Sequence, residues 1–458
     1  MTRDAAIAAA QRAFDDGRYV DVLARRVAIR SESQDPAQAS ALRHYVEHEL
    51  APAYAELGFD CSILDNPLPG RGPFLFAQRR ERDAHATVLT YGHGDVIRGQ
   101  DAQWRHGLSP WTLTRDGDRL YGRGTADNKG QHTINELALR AVLEARGRLG
   151  FDLKVLIETG EETGSPGLRE LCMRERDRLS ADVLIASDGP RLAPARPTLF
   201  LGSRGAMNFD LVVDLREGAH HSGNWGGLLA NPGIVLAHAL ASITGSRGEI
   251  RVPEWRPDTL TPAVRDALAG LRVDGGDDGP SIDADWGEPQ LTAAERVFGW
   301  CSFEVLAFRT GNPDHPVNAI PGKATAHCQL RYVVGVDPRD IVPALQRHLA
   351  REGFARVAVT PSREGFFAAT RTDPEHPWVQ RVKSSVARTT GRSVAVLPNL
   401  GGSLPNDIFT DVLGLPTVWI PHSYAGCSQH APNEHLLAPV AREALGLMAG
   451  VWWDCGEA

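Results

Sequence analysis

Five short segments of this 458-residue chain place His, Asp or Glu side chains in patterns capable of chemistry. Gly92-His93-Gly94-Asp95 closes an apolar run, and residues two apart on an extended backbone point to the same side. Asp95 could therefore orient a metal-binding imidazole at His93, or the two could simply pair in a loop. Gly122-Arg123-Gly124-Thr125-Ala126-Asp127-Asn128-Lys129-Gly130 precedes a helical pattern. It lacks both GxGxxG and GK[ST] spacing, so it does not fit a phosphate cradle; Asp127 is either an N-cap or a ligand. Glu158-Thr159-Gly160-Glu161-Glu162 follows a buried strand pattern. One carboxylate of the Glu161–Glu162 pair could bind a cation while its neighbour handles the proton of a metal-bound water; an exposed pair would be a solvated turn. Ser187-Asp188-Gly189 ends another strand pattern, and His430-Ala431-Pro432-Asn433-Glu434-His435 offers two competing histidines. Together the segments supply His, Asp, Glu, Asp and His, a donor set suited to zinc rather than calcium or an iron–sulfur cluster.

These residues need a scaffold that gathers strand ends, and the hydrophobic pattern supplies one. Residues 4–57 read as two helices, the second over Pro36–Leu57 with Asp35 as N-cap and Gly58 as its stop. CSIL, PFLFAQR, TVLTYGHGDV, LKVLIET and VLIAS read as strands, interleaved with helices over Asn128–Arg146 and Ser165–Arg176. That alternation predicts an α/β fold, a three-layer domain around a mainly parallel sheet, whose active site lies at the carboxyl ends of the strands. The rhythm changes near residue 200. MNFDLVVDL, a helix at Asn231–Ile243, SFEVLAF, KATAHCQLRYVV, a helix at Pro338–Arg351 and ARVAVTP form a strand-helix-strand-strand-helix-strand series, as in a ferredoxin-like α+β domain. Residues 246–300, rich in Gly, Pro and Asp, read as an elaborated loop. The α/β pattern returns with Pro377–Thr390, PTVWIP and Pro439–Trp452. The expected division is 1–198 and 366–458 for the catalytic domain and 199–365 for the insert.

Composition narrows the partners. Forty-nine basic against 57 acidic residues give a net charge of −8 without a basic block, which argues against nucleic acid and membrane surfaces. The N-terminus mixes charges into an Ala-rich amphipathic pattern rather than a signal peptide, and no apolar run reaches the ~20 residues needed to span a bilayer. Six scattered cysteines without CxxC pairs fit a reducing cytoplasm.

The motifs GHGDV, GRGTADNKG, ETGEETGS, SDG, HHSGNWGG, NAIPGKATAHCQLR, GGS and HAPNE occur, in order, over residues 92–434. In this the chain resembles the co-catalytic zinc amidohydrolases that include aminoacylase, carnosinase-type dipeptidases, carboxypeptidase G, acetylornithine deacetylase and succinyl-diaminopimelate desuccinylase. The resemblance implies two Zn²⁺ per chain, with Mn²⁺ or Co²⁺ as substitutes: His93 and Asp188 on one ion, Glu162 and His430 on the other, and Asp127 bridging. It implies Asp95 as support for His93 and Glu161 as general base. The insert becomes a lid that makes a homodimer. His221 is then the lid histidine that stabilises the oxyanion, with His220 as its rival, and Asn318, Arg331, Gly402 and Ser403 hold the substrate. Arg331 suits a carboxylate through its planar fork, although a strand-face salt bridge is the simpler role for such a residue. Gly401-Gly402-Ser403-Leu404-Pro405 resembles the dipeptidase-like members. The activity implied is hydrolysis of a dipeptide or carboxypeptidase-type substrate with a free carboxylate; an N-acyl amino acid deacylase and a non-catalytic binding protein are the alternatives.

Overall fold

The computed structural model describes residues 2–273, 280–362 and 367–457. The expected boundary at 365/366 and part of the 246–300 segment lie outside them. Two helices, α1 (Arg3–Asp15) and α2 (Arg18–Ala28), open the chain. A single helix was expected here, but Gly17 sits at φ +88°, a left-handed conformation cheap only for glycine, and breaks it. The expected Pro36–Leu57 helix runs as a 3-10 turn, an α segment, a π segment and a last α turn. Asp35 caps it by accepting from the Ala37 amide.

Strands β1 (Asp60–Leu64), β2 (Phe74–Arg79), β3 (Thr87–His93), β4 (Asp152–Glu158), β5 (Val183–Ala186) and β6 (Thr198–Phe200) follow. Between β3 and β4 runs α3 (Lys129–Arg146). The next strands are β7 (Gly205–Asp214), β8 (Ser302–Thr310), β9 (Lys323–Tyr332), β10 (Ala358–Pro361), β11 (Ala395–Leu397) and β12 (Thr417–Trp419). The main sheet has the order β1-β2-β4-β3-β5-β12-β6-β11. Its four central strands pair in parallel, while β1, β2 and the β12–β6 contact are antiparallel. Central β3 and β5 are almost wholly buried, which is why they read as continuous apolar runs.

α1, α3 and the last helix, α7 (Ala438–Cys455), cover one face with a large apolar cluster containing Tyr19, Ile134, Val155, Leu445 and Trp452. A second cluster, with Leu89, Leu184, Phe200 and Trp419, covers the other. The insert is a separate antiparallel sheet of order β8-β9-β7-β10, the arrangement of a ferredoxin-like domain, with its own core of Phe209, Leu236, Leu330 and Leu345. Helices α4 (Pro232–Ile243) and α5 (Ile341–Arg351) pack on it. Asn231 caps α4 through the Gly233 and Ile234 amides.

Three expectations need correction. The helix expected from Ser165 begins only at Leu168, because Ser165 (φ +51°) and Gly167 (φ +88°) hold left-handed conformations, and it breaks at Glu175. The described part of 246–300 is not one elaborated loop but includes helices at Pro262–Leu268 and Ala293–Phe298. Ile250 and Trp255 pack into the insert's core, while Val264, Leu268, Ala294 and Phe298 join the cluster on the main sheet, so the segment straddles both. The expected final helix extends to Cys455, and α6 (Pro377–Thr390) runs as expected.

Candidate metal centre

The site is assembled at the carboxyl end of the parallel strands. β3 delivers His93, β4 leads into the turn Glu161–Thr163, β5 ends beside Asp188, and Asp127 stands two residues before α3. Gly92 lets α3 approach the end of β3 closely: a Cβ there would lie a tight 3.1 Å from Asn128 Oδ1 and 3.2 Å from His132 Cβ. The N-cap alternative for Asp127 is not taken: Asn128 stands at the N-cap of α3, and the Asp127 carboxylate faces two histidines. Oδ1 lies 2.8 Å from His93 Nε2 and Oδ2 lies 3.1 Å from His430 Nε2. Asp188 Oδ2 is 3.6 Å from His93 Nε2, and Glu162 Oε2 is 2.8 Å from His430 Nε2. Two donor groups result, His93–Asp127–Asp188 and Asp127–Glu162–His430, each with its ligand atoms within 4.8 Å of one another and sharing Asp127. His435 is excluded from them: it is buried against Tyr121 and shares a 2.7 Å hydrogen bond with the Tyr424 hydroxyl.

Asp95 acts differently from the simple same-side picture. The main-chain carbonyl of Asp95 bonds His93 Nδ1 at 3.0 Å, with the carboxylate at 3.4 Å. That carboxylate accepts the Glu161 and Glu162 amides at 3.2 and 3.1 Å, so one residue orients both β3 and the glutamate turn.

Electrostatics show what these groups lack. Burial pushes Glu161 well above the usual carboxylate range, helped by Glu162, Asp188 and Asp127 and opposed by His93. Burial and then Asp127 push Glu162 up to about 7 and Asp188 up to about 6. Hydrogen bonds to Asp127 and Glu162 push His430 up to about 11. Burial opposes protonation of His93, but Asp127 and Asp95 outweigh it and hold the ring well above its ordinary value. Carboxylates crowded at this depth resist ionising without a counter-charge, and the histidines lend them protons. Divalent cations would supply that charge: three ligand carboxylates and two neutral imidazoles suit a pair of Zn²⁺ ions.

A cavity of about 370 Å³ opens on these groups, lined by Asp127, Glu161, Asp188 and His430 and also by Leu400, Gly402 and Ser403. The expected Gly402 and Ser403 are thus brought to the site. Arg331, on β9, reaches them through a 2.8 Å bond from Nη1 to Ser403 Oγ; it makes no salt bridge among the described residues, and burial lowers its pKa. His221 and Asn318 are not brought in. They sit together on the exposed surface of the insert, where the Ser222 amide donates to the Asn318 carbonyl and neither residue lines the cavity. His220 and His221 pair with Ile320 and Ala319 in a two-stranded ribbon.

Two site residues escaped sequence reasoning. Gln429 Nε2 donates to Asp127 Oδ2. Glu434, read only as part of a motif, is buried and accepts from the Ala126 and Asp127 amides at 2.9 and 3.1 Å and from Arg123 Nη1 at 2.7 Å. The only signal for Glu434 was an acidic residue four beyond a candidate histidine.

A doubly covered α/β sheet with carboxylates and imidazoles clustered at its strand ends is the architecture of a metal-dependent hydrolase. Residues 89–453 match peptidase family M20/M25/M40, and the chain belongs to that family and is a peptidase. It is 27% identical over 457 residues to the Beta-Ala-His dipeptidase of Mus musculus, covering 91% of this chain and 89% of that one. It is 29% identical over 379 residues to the Cysteinylglycine-S-conjugate dipeptidase of Corynebacterium striatum, covering 79% and 80%. Its fold matches that of an M20 family metallo-carboxypeptidase from Sulfolobus solfataricus with a TM-score of 0.76, at 23% identity over 96% of this chain and 99% of that one.

Proposed function

We propose that the chain hydrolyses the peptide bond of dipeptides, or of similar small peptides with a free carboxylate, at a two-zinc centre. The observation that carries this reading is the division of Asp127 between two histidines, one per donor group. His93 and Asp188 would hold one ion, Glu162 and His430 the other, and Asp127 would bridge them. The bound ions would polarise the scissile carbonyl and lower the pKa of the attacking water. Glu161, on the cavity wall but in neither donor group, takes the proton of that water as it attacks and delivers it to the leaving amine nitrogen. Arg331, with Ser403 and the Gly402 backbone, holds the substrate carboxylate. His221, or its neighbour His220, comes to the reacting carbonyl from the lid of a partner subunit, a reading that accommodates its distance from the cavity in one chain, and Asn318 of the lid helps hold the substrate. The separate core of the insert supports a catalytic domain of residues 1–198 and 366–458 with a lid over 199–365. The exposed apolar side chains Leu228, Ile234, Leu306 and Phe308 on that lid support a homodimer.

The curated relatives named as dipeptidases favour dipeptides over N-acyl amino acids. All six cysteines are free, which supports a reducing, cytoplasmic setting, and no helix of the described residues is long and apolar enough to cross a membrane. The test is metal content per chain by elemental mass spectrometry, followed by dipeptide and N-acetyl or N-succinyl amino acid panels. About two zincs and dipeptide turnover are expected; a folded chain that takes up no metal refutes the centre, and cleavage of acyl substrates alone replaces dipeptidase by deacylase. Glu161→Gln keeps both ions and loses about 10²–10⁴-fold in kcat; retained turnover removes Glu161 as the base.

A further inference from the structure

One face of α3 carries a row of fully buried polar side chains: Asn128, Gln131, His132 and Asn135. Their spacing of three, four and seven residues puts them on one side of the helix, the side turned to the ends of β3 and β5. Polar groups this deep are costly unless bonded; His132 Nε2 meets the Tyr45 hydroxyl at 3.0 Å, while Asn128, Gln131 and Asn135 bond to the segments that carry Asp127 and Asp188. Asn128 Nδ2 donates to the Ser187 carbonyl at 2.8 Å, and the Ser187 hydroxyl donates to Asn135 Oδ1 at 3.1 Å and meets His422 Nε2 at 3.0 Å.

Gln131 joins the most. Its Nε2 donates to the Ala126 carbonyl at 2.8 Å, one residue before Asp127, and to the Gly189 carbonyl at 3.4 Å, one residue after Asp188. Its Oε1 accepts the His422 amide at 2.8 Å. A single amide therefore spans the two backbones whose carboxylates stand on either side of His93 Nε2.

We propose that Gln131 is a positioning residue that sets the spacing of Asp127 and Asp188 and so governs the affinity of the His93–Asp127–Asp188 site more than that of the Asp127–Glu162–His430 site, which shares only Asp127 with it. The inference rests on the two-ion reading above. Side chains that orient ligands in this way typically change metal affinity 10–100-fold.

The test titrates zinc, at buffered free concentrations, into metal-free wild type, Gln131→Met and Gln131→Leu, and repeats the titration with cobalt followed by its visible absorption. Val142→Ala, in the apolar core on the same helix, matches the loss of thermal stability without touching either loop. Wild type is expected to take two ions. The Gln131 variants are expected to bind one ion at least tenfold more weakly, with a changed cobalt spectrum for that ion, and the other with a smaller loss, while Val142→Ala takes both normally. Two ions at wild-type affinity in either folded Gln131 variant overturns the inference alone, as does an equal loss in Val142→Ala. A wild-type chain that binds no metal overturns the metal centre, and this inference with it.

Discussion

Replacing Glu434 by Gln tests whether the loop that presents Asp127 is held by a buried charge pair. Arg123 and Glu434 are each about 1% exposed, and no other carboxylate among the described residues lies within salt-bridge distance of Arg123. Arg123 Nε and Nη2 already lack hydrogen-bond partners among the described residues. In Glu434→Gln the carbonyl oxygen still accepts the Ala126 and Asp127 amides, but an NH₂ group replaces the oxygen facing Arg123 Nη1. The guanidinium is then left charged, buried and opposed by a donor, a situation that costs about 3–5 kcal/mol. Equilibrium urea denaturation of the metal-free protein measures it. Arg123→Met combined with Glu434→Gln removes both charges and is expected to recover most of the loss, because an apolar replacement of a buried pair is often nearly neutral. A Glu434→Gln variant within ~1 kcal/mol of wild type, or a double variant as unstable as the sum of the two single ones, would refute the account.

Arg331→Met should raise KM for dipeptides tenfold or more with little change in kcat, measured by steady-state kinetics, if the guanidinium beside Ser403 holds the substrate carboxylate as proposed and does not act at the reacting bond. In the metal-free protein, burial and then Asp95 push Glu158 up to about 7, while its carboxylate accepts from Tyr91 and Ser165 hydroxyls. A carboxyl with a raised folded pKa binds more protons folded than unfolded, so its contribution to stability declines as pH rises from about 4.5 to about 7, by ~3 kcal/mol. Glu158→Gln should flatten that part of the stability–pH curve measured by urea denaturation; an unchanged slope would show that another group is responsible. Leu306→Asp, on β8 at the edge of the insert's sheet, should convert the proposed dimer to monomer in light scattering and lower activity with it. A monomeric wild type would remove the partner-supplied His221 instead.

Much of this molecule was legible in its residues. Strands buried on both faces must be apolar throughout, so β3, β4 and β5 announced themselves, and with them the strand ends where His93, Glu161, Glu162 and Asp188 lie. The period change near residue 200 marked the second sheet for the same reason, because β7 and β9 each bury one face and alternate. The motif order gave family membership and five candidate donors that the fold brings together in two groups. Sequence could not show that Asp127 divides its two oxygens between His93 and His430, that His435 turns instead to Tyr424, or that Asp95 spends its carboxylate on the glutamate turn. Nor could it find Glu434 and Gln131, whose partners lie about 300 residues away in one case and on three separate segments in the other. Periodicity reports which face of an element is buried, a property of local spacing. Which polar atom meets which is settled only when distant segments pack and every buried donor must find an acceptor.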